Sequence, residues 1–486
     1  MKKMNFLLLI MIIISYDSKA TIKRVPTYFS SIQIAIDNSA SGDTVIIDNG
    51  IYKENINLKG KNLVVASKFL LTNDTSAISN TIIDGQQNGS VVTITNNENN
   101  AAQICGLSIK NGKSGSGGGI SIGQSSKPII SYCNIYDNIA AVGGGISILS
   151  NSKPIIKNCK IFNNHTNTTD DLSTHGGGVI AGNYTEARLI SCEIFNNSST
   201  YYGGGIYAIS NPIVNLYKFS LSIERCLIYG NNAQIGGGVA SFHGCNIKIV
   251  NSTILDNHAT SGSELFLYDG NSTVVNSIIC NYNFASVNSI HFEQPTCCTM
   301  SSQSQLYIDY SLIFGGLNSI KKVGEKARLY YNEHNIELDP LFSDTCKKDF
   351  KLKENSPCIN KGISRFLIPA DGIYVGDTLV DFNSTDFNGD APDLGAWEFL
   401  NEASIPNNVI KGLVMFINPE NGCISIKSPN IIIRRFELYN LEGQIVGGDK
   451  VNRNEFDFSI TSLKQGYYLM KIKMLDSVIV KKFLKK

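Results

Sequence analysis

The residues best equipped to meet a ligand gather at two interruptions of an otherwise regular pattern. Seven extra residues after His165 bring Asp170 and Asp171 close before His175 and Gly176. A second insertion of seven residues adds Tyr217 and Lys218 after Tyr207. Between the two insertions Tyr201 and Tyr202 stand directly before Gly203. By register His175 and Tyr202 occupy one column a single coil apart, and Tyr207 heads outward just past the glycines. Rings to stack on, with an imidazole, carboxylates and a cation beside a glycine-floored groove, suit a sugar: its apolar face needs an aromatic surface and its hydroxyls need polar partners. Glycan binding through Asp170, Asp171, His175, Tyr201, Tyr202, Tyr207, Tyr217 and Lys218 is therefore one expectation. Simple packing of decorated loops on their neighbours is the other.

A second constellation is Asp386-x-Asn388-x-Asp390 with Asp393, oxygen ligands at the alternate spacing calcium favours. It lacks the terminal bidentate glutamate of a complete calcium loop, and turn formation before Asp393-Leu394-Gly395 accounts for the same residues. Calcium is thus the one ion the sequence suggests, and no other cofactor is expected. Sugar cleavage calls for paired carboxylates, or for calcium with a basic proton abstractor. No acidic residue recurs in the repeat and no paired-aspartate motif is present.

These residues must be positioned by the repeat itself, which reads Gly-Gly-Gly-Ile, Pro-Ile-Ile, Cys-x-Ile-x-x-Asn and is cleanest from Gly143, Gly144 and Gly145 to Asn164. From the apolar residue after the glycines to the next small residue the interval is thirteen in four copies: Ile120 to Cys133, Ile146 to Cys159, Val179 to Cys192 and Val239 to Ser252. Ile206 to Cys226 is twenty, the same unit with seven residues inserted. Five residues after each small residue comes an asparagine: Asn138, Asn164, Asn197, Asn231 and Asn257. Fainter coils run through Val92 to Cys105 and through Leu265 to Ser277. Such regularity specifies a solenoid. One segment mimics the strand of a leucine-rich repeat, but the rest of each unit is two more short β-branched runs without helical period, so each coil of about 26 residues is expected to hold three strands of a parallel β-helix. Asparagines are expected to turn one corner in the left-handed conformation and to stack their amides; glycines serve the other corner. Cys133, Cys159, Cys192 and Cys226, with Cys105, read as small core residues, since Ser252 and Ser277 fill the same column. Cys297 with Cys298, and Cys346 with Cys358, lie in irregular segments and are the better candidates for oxidation.

Composition excludes other classes. With 42 basic and 41 acidic residues there is no cationic surplus for nucleic acid. Residues 1–20 read as a secretory signal peptide: Lys2 and Lys3, an apolar run from Phe6 to Ile14, then Ser18-Lys19-Ala20. No later apolar run is long enough to span a bilayer, so no transmembrane segment is expected in the mature chain. Ile32, Ala35 and Ile36 with Ser30 or Ser31 predict a short capped helix over the open end of the solenoid.

The opening Ile32-Gln33-x-Ala35-Ile36-Asp37, Gly42-Asp43-Thr44-Val45, Gly50-x-Tyr52-x-Glu54-Asn55-Ile56 and Thr81-Ile82-Ile83-Asp84-Gly85 resembles the start of secreted right-handed parallel β-helix proteins of the pectin-lyase-like superfamily. With the repeats, the likeness covers residue 21 to about 283. It implies the fold and leaves activity open, because members include sugar-active enzymes and surface proteins alike. Residues 310–398, with Asp339-Pro340-Leu341-Phe342, Ser356-Pro357-Cys358-Ile359-Asn360-x-Gly362 and Asp393-Leu394-Gly395-Ala396-Trp397-Glu398, look like the segment that closes such helices. A linker over 401–410 leads to 411–486, which resembles a type IX secretion sorting domain through Asn418-Pro419, Gly422, Phe436-x-Leu438-Tyr439, Leu463-x-x-Gly466-Tyr467-Tyr468 and Lys481-Lys482-Phe483; Cys423 replaces a usual apolar residue. Its alternating runs fit a small Ig-like β-sandwich. The resemblance implies the type IX export machinery as a partner, passage across the outer membrane, and an extracellular or cell-surface location. The sequence thus predicts an all-β chain, a right-handed β-helix with an N-terminal helical cap over 21–300, closing coils over 301–400, and a sorting sandwich. Its expected role is a non-catalytic scaffold that binds polysaccharide or cell-surface glycan or adheres; the alternative is a lyase or glycoside hydrolase acting on an acidic polysaccharide.

Overall fold

The computed structural model describes residues 20–486 apart from 168–173, 183, 211–218, 284–285, 295–303, 368–377, 384–385, 400–413, 419–422, 428–431, 441–443, 462, 464–465, 474–477 and 486. Two units result, 1–399 and 400–486. Residues 1–19, nearly all of the 1–20 segment read as a signal peptide, lie outside the described residues.

In the first unit short strands pair in parallel with their equivalents one coil away, giving one sheet of twelve strands and two of ten. The register is the one the repeat predicts: Ile120, Ile146, Val179, Ile206, Val239 and Leu265 pair in succession. Period-two alternation sends Ile120 and Ile122 inward and fully buries them. A further three-stranded sheet, Lys113–Ser116, Ile139–Val142 and His165–Thr166, lies between the asparagine corner and the glycines, so these coils carry one run more than the three expected. The predicted cap is the helix Ile32–Asp37, with Ser31 Oγ accepting the N–H of Ile34. Glu54 completes it by accepting the N–H groups of Ile32 and Gln33, each at 2.9 Å.

The asparagines stack as expected, but the left-handed residue of their corner is the one before: Asp137, Asn163, Asn196 and Asp256 have φ of 53 to 55°. The ladder asparagine is thereby free to aim its amide along the helix axis. The Nδ2–H and backbone N–H of Asn164 both donate to Asn197 Oδ1 at 3.0 Å, and Asn197 does the same to Asn231. Each Nδ2 also donates to a carbonyl of the preceding coil, as Asn197 does to Ile161 at 2.9 Å. The ladder ends where Asn257 Nδ2 donates to Glu264 Oε2 at 2.6 Å.

The cysteine column is more polar than small core residues imply. The backbone N–H of Cys133 donates to Cys159 Sγ at 3.5 Å, and that of Cys192 to Cys226 Sγ at 3.4 Å. Ser252, Ser277 and Ser311 continue the chain of contacts through their Oγ atoms at 3.1 to 3.2 Å. Serine can replace cysteine because a hydroxyl accepts and donates in the same places. Cys105 does not belong here. It pairs with Ser131 and faces outward among Ile46, Ala66 and Phe69, and Leu107 takes the core position instead. The count of thirteen from Val92 missed two additional residues in the intervening turn. Cys346 and Cys358 are free thiols, exposed and buried respectively, and do not form the pair expected of them. Cys297 and Cys298 lie outside the described residues.

Beyond the glycine-led coils the three sheets continue, the first through Gln305–Asp309 and Arg328–Tyr331, the second through Ile320–Val323 and the third through Leu312–Ile313. Two antiparallel pairs follow, Phe342–Asp344 with Asp349–Leu352 and Arg365–Leu367 with Thr378–Asp381. They cover Leu227, Leu255, Ile278 and Val250 on the outside of the helix.

The second unit consists of antiparallel sheets of three and four strands between Val414 and Lys485. Ile424, Ile426, Phe436, Leu438, Met470 and Ile472 form its core, as alternation along sandwich strands requires.

Candidate functional site

Each coil enters the second large sheet through a corner residue followed by the glycines. Val142, His175, Tyr202, Ile235 and Ser261 are these corner residues, bridged in parallel from coil to coil. The first glycine needs the left-handed region, φ being 70° at Gly176 and 63° at Gly203. A Cβ on Gly178 would stand 2.6 Å from the carbonyl of Gly205, so the column must stay bare for coils to approach. Past the glycines, alternation points one column outward as Ile180, Tyr207, Ala240, Phe266 and His291, and the next as Ile209, Phe242, Tyr268 and Glu293.

The apolar members of these columns, from Ile180 to Phe266 and from Ile209 to Tyr268, point away from the core and pack into a second apolar layer on the outer face. His175 lies 5.1 Å from the Tyr202 ring and 4.7 Å from that of Tyr207. Tyr201 meets Tyr202 edge-on at 4.3 Å, and Tyr202 packs on Phe242 at 4.5 Å. Burial pushes Tyr202 up to about 12, with Tyr201 adding to the effect, and pushes Tyr207 up further still. Burial also holds His175 below the ordinary histidine value, against a backbone hydrogen bond at Thr174 that works the other way. At neutral pH the patch is therefore uncharged, a surface for ring faces rather than for carboxylates.

The structure thus brings His175, Tyr201, Tyr202 and Tyr207 together. The first three are half-buried. Tyr207 is 2% exposed and underlies the others, which corrects its assignment to direct contact. Asp170, Asp171, Tyr217 and Lys218 lie outside the described residues. The calcium-like set does not converge. Asp393 accepts the N–H groups of Asn360 at 2.7 Å and Phe399 at 2.5 Å, while Asp386 accepts that of Asn383 at 2.8 Å. Among the described residues no three His, Cys, Asp or Glu side chains are grouped to hold a metal. Turn chemistry accounts for the alternate spacing.

Sequence reasoning missed three features. Tyr136, Phe162, Phe195 and Tyr229 stack in near-parallel pairs 4.9 to 5.0 Å apart on another face. Their signal was present, since each lies three residues after Cys133, Cys159, Cys192 or Cys226. Secondly, a cleft of about 470 Å³ is lined by Lys153, Glu186, Arg188 and Glu224, and these charges already pair as Lys153–Glu186 at 2.8 Å and Arg188–Glu224 at 2.9 Å. Thirdly, at the C-terminal end of the aromatic face Ser261 Oγ lies 2.5 Å from His291 Nδ1, and His291 Nε2 lies 3.1 Å from Glu293 Oε2.

The family model for the right handed beta helix region matches residues 11–279, and that for the secretion system C-terminal sorting domain matches residues 414–486. No curated protein matches the chain. Similar solved structures include the pectin methylesterase from carrot, 11% identical over 65% of this chain and 90% of that one with a TM-score of 0.34. Pectin methylesterase PemA from Erwinia chrysanthemi is 11% identical over 66% and 92% with a TM-score of 0.27. The pectin methylesterase from Aspergillus niger is 13% identical over 67% and 93% with a TM-score of 0.28. A type IX sorting domain directs its carrier across the outer membrane to the cell surface or extracellular space. The coils, their register and the family match over more than half of its length make this chain a member of the right-handed β-helix family, exported by means of its C-terminal sorting domain.

Proposed function

We propose that this exported β-helix binds an extracellular polysaccharide or cell-surface glycan across its outer aromatic face. One observation carries the reading: Tyr201 and Tyr202, half-buried and edge-on to one another at 4.3 Å, sit beside His175 over a bare glycine column. Tyr207 and Phe242 back the Tyr202 ring from beneath, and the edge-on contact leaves part of the half-buried pair as ring surface on which a pyranose would stack. The Tyr136 to Tyr229 stack is less suited, because those rings cover one another face to face. Successive coils repeat the face at roughly 4.8 Å, so a chain lying along the axis meets the corner column more than once.

The test is affinity electrophoresis of the full-length secreted protein through a panel of polysaccharides, uronate polymers included, with and without calcium. Retardation by at least one is expected. Tyr202→Ala should lose about 1 kcal/mol of the stacking contribution, roughly fivefold in affinity, and His175→Ala should weaken binding in the same direction. Unchanged retardation in both variants for every bound polymer would sink the reading. Appearance of unsaturated products or new reducing ends would assign the same face to a lyase or glycoside hydrolase.

A further inference from the structure

We propose that Ser261, His291 and Glu293 form an acyl-transfer centre that removes a small carboxylic ester from the bound glycan, an inference that rests on the glycan reading for its substrate. The three come from two coils and three columns. Ser261 is the corner residue that continues the column of His175 and Tyr202. His291 lies one coil on, in register with Phe266, and Glu293 is two residues further on the same outward face. The spacing from Ser261 Oγ to Nδ1 is 2.5 Å and from Nε2 to Glu293 Oε2 is 3.1 Å. A carboxylate on Nε2 fixes that nitrogen as the N–H, which leaves Nδ1 with a lone pair aimed at the hydroxyl. This is the geometry of a nucleophile, its base and the group that orients the base.

The surroundings fit the chemistry. Phe266 packs against the imidazole at 4.7 Å, and the ring is 6% exposed. Lys321 stands in register with His291 one coil further and places a cation beside it. Ser261 is half-buried rather than sealed. Two corner steps separate it from Tyr202, roughly 10 Å at the strand spacing, so a sugar stacked on the tyrosines presents a neighbouring residue of the same polymer to the hydroxyl.

In the reaction the Oγ–H proton passes to His291 Nδ1 while Oγ bonds to the ester carbon. The oxyanion forms beside the Lys321 cation. The ester C–O bond then breaks, and the sugar hydroxyl leaves with the proton from His291. Water, deprotonated by the same nitrogen, cleaves the acyl-serine and releases the carboxylic acid. Glu293 touches only the imidazole and is a positioning residue.

Full-length protein treated with a fluorophosphonate probe and mapped by peptide mass spectrometry should carry one adduct on Ser261, fluoride leaving as the Oγ–P bond forms. Ser261→Ala should carry none. His291→Gln should slow labelling about a hundredfold. Glu293→Gln should slow it about tenfold, and Glu293→Asp should recover most of that loss, which a merely structural carboxylate would not do. Acetate release from an acetylated polymer that the protein retards should follow the same order. An unlabelled Ser261 in the folded wild-type protein at saturating probe would overturn the proposal, and polymer retardation in the same sample would show that the glycan reading survives. Labelled Ser261 without retardation by any polymer would support the centre and remove the glycan reading instead.

Discussion

Replacing Asn197 by leucine is expected to destabilise the β-helix by about 4 kcal/mol, because it breaks four buried hydrogen bonds and strands their partners. Asn197 Oδ1 accepts both the backbone N–H and the Nδ2–H of Asn164 at 3.0 Å, and its own Nδ2 donates to Asn231 and to the carbonyl of Ile161. Leucine fills a similar volume but can neither accept nor donate. The backbone N–H of Asn164 then has no acceptor in a corner that excludes water, and an orphaned buried donor costs roughly 1–3 kcal/mol by itself. The same change at Asn257 should cost at least as much, since its Oδ1 accepts from the backbone N–H and Nδ2 of Asn231 and its Nδ2 donates to the carbonyls of Ile228 and Leu255 and to Glu264. Urea unfolding followed by far-ultraviolet circular dichroism checks the figure. Because a solenoid can open coil by coil, hydrogen exchange at the 161–164 and 194–197 backbone amides should show the loss concentrated in the flanking coils. A loss below about 1 kcal/mol with unchanged exchange there would show that the amide stack is incidental.

The second large effect belongs to Glu264, which stands where other coils carry the third glycine and is 0% exposed. Burial pushes its pKa from 4.5 to about 8, against the hydrogen bonds from Asn257 and Ser263 that favour the charged form. A carboxyl raised in the folded state keeps its proton after the unfolded chain has lost it. Its contribution is therefore fully present below pH 4.5 and is lost as pH rises to about 8. The loss across that window is on the order of 5 kcal/mol. Glu264→Gln keeps the shape and an acceptor for Asn257 Nδ2 while removing the titration. Melting temperatures measured from pH 5 to 9 should fall in the wild-type protein relative to the glutamine variant, most steeply between pH 5 and 8. Parallel profiles would place the Glu264 carboxylate in water rather than at the end of the ladder.

The frame was legible because it repeats. Ile120 to Cys133 and its copies give register by counting, and register gives both the parallel pairing and the shared column of His175 and Tyr202. Counting failed where a turn changed length without changing its pattern, as at Cys105, whose thirteen-residue interval was a coincidence. Residue type alone misplaced the left-handed corner: asparagine tolerates that conformation, but here its amide is worth more along the axis, and the residue before it takes the strain. Tyr207 could be seen to point outward, yet only packing reveals that His175, Tyr202 and Phe242 lie over it. Ser261, His291 and Glu293 belong to no recurring motif. They meet because two coils of unequal length close in register, and that is a property of the stack rather than of any window of sequence. The sorting sandwich was legible from alternation, which its inward Ile424, Ile426, Phe436 and Leu438 follow.

The glycan face is tested most directly by hydroxyl-radical footprinting of the full-length protein with and without a polysaccharide that retards it. Protection should fall on Tyr201, Tyr202 and His175, while Tyr28, which is 72% exposed in the first unit, reacts equally in both samples. Protection confined to Tyr136, Phe162 and Phe195, or no difference at Tyr201 and Tyr202, would contradict the assignment of the binding face.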